Sequence, residues 1–212
     1  MAIEYVKPDK IEQRSFEIIR SELPHKIDPD LAPIILRVIH TTADFEYAGT
    51  LSFSEGVVEH AVTALKRGVP IVSDTNMVKA GVDKARLSKL DSKIYCFISD
   101  DDVAEKAGQN GITRACAAID KSMNVGRPVI FAIGNAPTAL MRICELKEAG
   151  KCSPELVIGV PVGFVNVVEA KEMLMRSGIP FITAQGRKGG SNVAAAICNA
   201  LLRMAVDEEI NV

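Results

Sequence analysis

Pro128-Val-Ile-Phe-Ala-Ile-Gly-Asn-Ala-Pro-Thr-Ala139 decides how this chain folds. Residues 128–133 are apolar without alternation, the pattern of a strand covered on both faces. The Gly134-Asn135 step breaks the run. Pro137 then stands where a helix can begin, because its missing N–H and fixed φ suit a first turn. A stretch of helical period, 137–149, leads into a second continuous apolar run, 156–160. Strand, helix and strand in that order make a βαβ unit, which calls for parallel pairing through a crossover.

The same grammar extends in both directions. Apolar runs recur at 69–73, 93–98 and 180–183, between helical stretches at 102–121, 167–177 and 192–206. These five runs predict an α/β fold with a doubly wound, mainly parallel five-stranded sheet. An N-terminal helical segment precedes it, with helices near 9–22 and 30–42. A connection at 49–56 leads to a helix at 57–67. No repeat or linker divides the chain, so residues 1–212 are expected to form a single domain.

Composition narrows the function. The chain has 212 residues, 48% of them hydrophobic, and a formal net charge of −2, enough for one sizeable core and without a basic field to draw in nucleic acid. There is no tryptophan, so a stacking platform for single strands is not expected. The N-terminus lacks the apolar core of a signal peptide, and no run approaches the ~20 residues of a membrane span. Five scattered cysteines without a C-x-x-C pair read as reduced thiols of a cytoplasmic protein. No resident metal, nucleotide or other cofactor is expected: no ligand cluster, Walker loop or G-x-G-x-x-G is present.

The strand ends carry the chemistry, because ligands of open α/β sheets bind along the carboxyl edge. Leaving the strands in order are Ser73-Asp-Thr75-Asn-Met77, Ser99-Asp-Asp-Asp102, Gly134-Asn135-Ala-Pro-Thr138, Pro161-Val-Gly163-Phe164-Val165 and Gln185-Gly-Arg187-Lys188-Gly189-Gly190-Ser191. The last is an anion receptor by composition: two cations, two glycines and Ser191 at the expected N-cap of an alanine-rich helix. Asn135 and the N–H groups around it offer a second place for a carboxylate, although capping explains them as well. Arg114 interrupts a small, apolar helix, either as a surface cation or as one reaching over the sheet edge.

Residues 31–40 add a titratable group. At about 100° per residue, Leu31, Ile34, Ile35, Val38 and Ile39 share one face. Arg37 and His40 fall on the other side, one turn apart, with Asp44 a turn later. An imidazole beside a fixed cation and a carboxylate suits proton or hydrogen-bond chemistry on an acidic ligand; an ordinary solvated helix face is the alternative. Ser15 shares a sector with Ile11, Ile18 and Ile19, so it is expected to point inward, toward a ligand or back to its own helix.

Together Arg14-Ser15-Phe16, Arg37-Val-Ile-His40-Thr, Asp74-Thr-Asn-Met-Val78, Thr113-Arg114, Gly134-Asn-Ala-Pro-Thr-Ala139, Gly159-Val-Pro-Val-Gly-Phe-Val165 and Gly186-Arg-Lys-Gly-Gly-Ser191 resemble the precorrin-8X methylmutase family of cobalamin biosynthesis. The resemblance runs from the first helix to the last. It implies a homodimer acting on a polycarboxylated corrinoid, (cobalt-)precorrin-8, by a 1,5-sigmatropic methyl shift on ring C. It further implies that His40 is the proton donor or acceptor at the ring C nitrogen and that Ser15 and Arg37 touch substrate. The expected substrate-binding set is Ser15, Arg37, Thr75, Met77, Arg114, Asn135, Thr138, Gly163, Phe164, Arg187, Lys188, Gly189 and Gly190. A non-catalytic corrinoid carrier explains the anion receptors equally, but has no need of His40.

Overall fold

The structure, a computed structural model, describes residues 3–126 and 128–206. Its helices and strands, in chain order, are α1 (Ile11–Glu22), α2 (Ala32–Thr42), α3 (Tyr47–Thr50), β1 (Leu51–Phe53), α4 (Val57–Lys66) and β2 (Ile71–Ser73). There follow α5 (Asn76–Gly81), α6 (Lys84–Lys89), β3 (Ile94–Tyr95), α7 (Asp101–Asn110), α8 (Arg114–Ser122) and β4 (Ile130–Ile133). The chain continues through α9 (Pro137–Glu148), β5 (Leu156–Gly159), α10 (Val167–Arg176), β6 (Phe181–Ala184) and α11 (Ser191–Val206).

The sheet runs β1-β6-β5-β4-β2-β3. All pairings are parallel except β1 with β6. Along β4 the side chains alternate between two cores. Ile130 and Ala132 face the layer of α1, α2, α4 and α11, while Phe131 and Ile133 face that of α8, α9 and α10. Both faces are therefore dry, which is why the strands read as unbroken apolar runs.

Two expectations need correction. Among the described residues the sheet has six strands, not five, because Leu51-Ser-Phe53 pairs antiparallel with Ala184, Thr183 and Ile182. Three residues are too few to show a period of two, so this edge strand passes for a connection. The single helix expected over 102–121 is two. Gly111 ends α7 in the left-handed region at φ 62°, and Thr113 restarts the chain by accepting the Cys116 N–H. A C-terminal glycine followed by an N-cap threonine is a complete stop and start.

Helix α11 runs through the centre of one layer. Its small residues Ala194, Ala195, Ala196 and Ala200 are all buried and let α2, α4 and α5 come close. Its first residue meets the end of β4 at Gly134, where an added Cβ would lie 2.7 Å from Ser191 Cα. The linker just before it is equally tight: a Cβ on Gly189, at φ +158°, would lie 2.2 Å from Val160 O. Gly190 N donates to that same carbonyl at 2.9 Å.

Gly134→Ala is expected to cost about 1–3 kcal/mol, the usual penalty of overpacking against atoms that cannot yield. Gly108→Ala, in a helix with nothing within 4 Å, is expected to gain about 0.5–1 kcal/mol. Chemical denaturation of both variants checks the pair.

Candidate active site

From β2 the chain goes outward to β3 on one side and then crosses back to β4 on the other, so the sheet's switch point lies between β2 and β4. Asp74 fills it. Only 2% exposed, its carboxylate accepts from Gly134 N at 2.9 Å, Asn135 N at 2.8 Å and Ala136 N at 2.7 Å. Burial pushes the carboxyl up from its ordinary value, against the pull of those three donors. The N–H groups that the sequence offered to a ligand carboxylate are thus held by the chain's own. The Asn135 side chain stays exposed. Beside it the Thr138 and Thr113 hydroxyls lie 2.9 Å apart and tie the start of α9 to that of α8, where Arg114 is exposed. Asn135, Thr138 and Arg114 therefore form one group on the rim.

Thr75 accepts the Val78 N–H, and its hydroxyl lies 2.9 Å from that of Ser191. Met77, next to it, is 68% exposed. On the glycine-rich loop, Arg187 stacks 5.5 Å over the Phe164 ring, and Gly163 N donates to Arg187 O at 3.3 Å. Val162, Phe164 and Val165 are all exposed, which gives this part of the edge an apolar lip. Lys188 is differently placed from Arg187. Its ammonium lies 2.6 Å from Asp44 and 2.9 Å from Glu46, and those carboxylates push its pKa up to about 12. Asp44, expected beside His40, is committed to Lys188 instead.

His40 and Arg37 do come together. Phe16, buried under α2, holds both: its ring centroid is 5.2 Å from that of His40 and 4.7 Å from the Arg37 guanidinium carbon. Arg37 is also ion-paired with Glu12, which Arg203 approaches at 3.5 Å. The Arg37 hydrogen bond holds the Glu12 carboxyl below its usual range. A cavity of about 330 Å³ opens here, lined by Arg37, His40, Asp83, Asn192, Asn199 and Arg203 among others. Asn192 follows Ser191 directly, so the cavity adjoins the strand ends.

Ser15 does not reach this cavity, and its hydroxyl donates to Ile11 O at 2.9 Å. Helix α1 turns Phe16 and Ile19 inward and leaves Ile11 54% and Ile18 39% exposed. The sector expected to face the core is therefore half outside, because the aromatic ring takes the interior beneath Arg37. Sequence reasoning also missed Asn192, Asn199 and Arg203. Their spacing of seven and four residues puts them on one face of α11, a signal that was available. All five cysteines are free, and burial pushes Cys144 up to about 11 and Cys198 up to about 12, which leaves those two thiols poor nucleophiles.

The fold and this edge define an α/β protein with glycine-rich, cation-bearing loops at the carboxyl ends of its strands and an imidazole on a cavity beside the start of α11. The chain belongs to the precorrin-8X methylmutase family, whose model matches residues 10–204. It is 43% identical to the cobalt-precorrin-8 methylmutase of Priestia megaterium over 94% of this chain and 89% of that one. It is also 43% identical to the cobalt-precorrin-8 methylmutase of Salmonella typhimurium, over 92% of this chain and 95% of the other. A crystal structure of precorrin-8x methyl mutase from Thermus thermophilus superposes with a TM-score of 0.88 at 38% identity, covering 96% of this chain and 99% of that one.

Asp74→Asn replaces an acceptor-only group with one whose amide N–H₂ must face donors. It is expected to destabilise the fold by about 1–3 kcal/mol, the cost of buried donors left unpaired. Urea denaturation of the variant against the native protein measures it.

Proposed function

We propose that this chain catalyses the 1,5-sigmatropic shift of a methyl group on ring C of cobalt-precorrin-8, yielding cobyrinate, a step of cobalamin biosynthesis. The observation that carries this reading is the pairing of His40 and Arg37 on one cavity, both held by Phe16, in a chain of this family. The cobalt-containing substrate is favoured by the two relatives at 43% identity, both cobalt-precorrin-8 methylmutases; the metal-free substrate would give hydrogenobyrinate.

The reaction is an isomerisation. The methyl group's bond to the ring's α-carbon breaks as its bond to the β-carbon forms, and no atom or electron is gained or lost. The protein has two tasks, to hold the macrocycle and to bias its electrons. Arg37, fixed by Glu12 and Phe16, meets one substrate carboxylate. Arg187 and the loop N–H groups meet another, and Arg114 and Asn135 a third. Met77, Val162, Phe164 and Val165 lie against the ring's apolar face. His40 donates or accepts a proton at the ring C nitrogen, which favours the tautomer poised to rearrange. Gly163, Gly189 and Gly190 let the backbone approach, while Thr75, Thr138 and Lys188 support the edge through their own partners.

We read the enzyme as a cytoplasmic homodimer without a resident cofactor. The exposed Ile11 and Ile18, two turns apart on α1, supply an apolar stripe suited to a second copy, and light scattering of the purified protein reports the assembly. Among the described residues no helix is long and apolar enough to cross a membrane.

Native protein, dialysed against chelator, is expected to convert cobalt-precorrin-8 to cobyrinate at unchanged mass, followed by absorption spectrum. A carrier would bind the substrate and leave it unchanged. His40→Ala is expected to fold and bind cobyrinate but to lose ~10²-fold or more in single-turnover rate. A variant at the native rate contradicts the role of His40. Arg187→Ala is expected to weaken cobyrinate binding by roughly 1–3 kcal/mol at low salt, the size of a charge-assisted hydrogen bond.

A further inference from the structure

Lys171, on α10, is 1% exposed, and no carboxylate pairs with it among the described residues. Its ammonium donates to two main-chain carbonyls, Gly186 O at 2.8 Å and Lys188 O at 2.7 Å. Burial pulls its pKa down to about 8. A buried cation without a counter-ion is costly. The ammonium is held by these two loop carbonyls and by no carboxylate among the described residues, so the effect of the charge has to be sought in the loop it holds.

That loop is oriented in an unusual way. Arg187 O, between the two carbonyls bound by Lys171, accepts from Gly163 N. Three successive carbonyls, those of residues 186, 187 and 188, are therefore turned toward the protein. In a trans peptide unit the N–H points opposite to the C=O, and the described residues contain no cis bond. The N–H groups of Arg187, Lys188 and Gly189 are accordingly turned the other way. None of the three has an acceptor among the described residues. Three adjacent free N–H groups beside the Arg187 guanidinium make a receptor for an anion.

We propose that Lys171 is a positioning residue, which holds the carbonyls of Gly186 and Lys188 inward so that the N–H groups of residues 187–189 face a substrate carboxylate. This rests on the reading of the loop as a carboxylate receptor given above. Lys171 lies behind the loop and acts only through it. Without the ammonium, the carbonyls of Gly186 and Lys188 lose their donor; their peptide planes are free to rotate, and the N–H groups turn with them. The side chains of Arg187 and Lys188 play no part in this, since Arg187 rests on Phe164 and Lys188 is paired with Asp44 and Glu46.

The test compares native protein with Lys171→Met and Lys171→Arg, after thermal unfolding has established that each folds. In Lys171→Met, KM for cobalt-precorrin-8 and Kd for cobyrinate are expected to rise about tenfold with kcat nearly unchanged, the signature of lost uniform binding. Lys171→Arg, which keeps the cation, is expected to recover most of that loss. Native KM in Lys171→Met, or equal loss in both variants, overturns the proposal. If Lys171→Met does not fold, the native protein decides through its backbone amide resonances. Saturation with cobyrinate is expected to shift those of Arg187, Lys188 and Gly189, and unmoved resonances overturn the proposal. Failure of the functional reading looks different, since native protein then neither binds cobyrinate nor converts cobalt-precorrin-8. Citrate then becomes the probe of the same three amides: shifts in native protein that Lys171→Met abolishes uphold the proposal, and their absence in the native protein overturns it.

Discussion

Ser191 can lie against the end of β4 only because residue 134 has no side chain, and the site depends on that contact. Close approach seats the start of α11 on the sheet, with Thr75 bonded to Ser191 on one side and Gly190 N bonded to Val160 O on the other. The segment from the end of β6 to the start of α11 is then stretched across the strand ends, which places Arg187 beside Phe164. The same seating sets the rotation of α11, so that Asn192, Asn199 and Arg203 turn toward α2 and close the cavity of His40. A methyl group added at 134 would disturb all of these at once.

Around this contact the chain uses its own charges to fix polar backbone that would otherwise be loose. Asp74 takes three N–H groups at the switch point, and Lys171 takes two carbonyls behind the glycine-rich loop. The two are complementary. A buried anion holds donors inward where β2 meets β4, and a buried cation holds acceptors inward where β5 meets β6. In the site proposed above, the donors left facing outward on the loop are the ones that a ligand carboxylate meets. Such pre-set donors do not reorganise on binding, which is how a site gains affinity for a flexible polyanion without a larger contact area.

Much of this was legible in the residues, and the reasons for the rest are physical. Runs such as Val129-Ile-Phe-Ala-Ile133 reveal parallel strands because both faces are dry, and the wheel of residues 31–40 places Arg37 and His40 together because helical period is local. Leu51-Ser-Phe53 escaped because an edge strand of three residues has no period to show. The break at Gly111 was written in its glycine and in Thr113, and was read through. The roles of Asp74 and Lys171 have no local signature, since their partners lie 60–62 and 15–17 positions away. The charge of Lys188 was visible in the sequence, but the two acids that occupy it were not, because they come from the link between α2 and α3.

The central claim is spatial: one edge of the sheet receives the macrocycle, with carboxylates on the loop donors and ring C against His40. A crystal structure of the protein with cobyrinate bound tests it most directly. The account predicts a propionate or acetate oxygen within hydrogen-bond distance of the N–H groups of residues 187–189, and a His40 imidazole nitrogen within hydrogen-bond distance of the ring C nitrogen. A macrocycle seated at the amino ends of the strands, or bound at this edge with ring C turned away from His40, would contradict it.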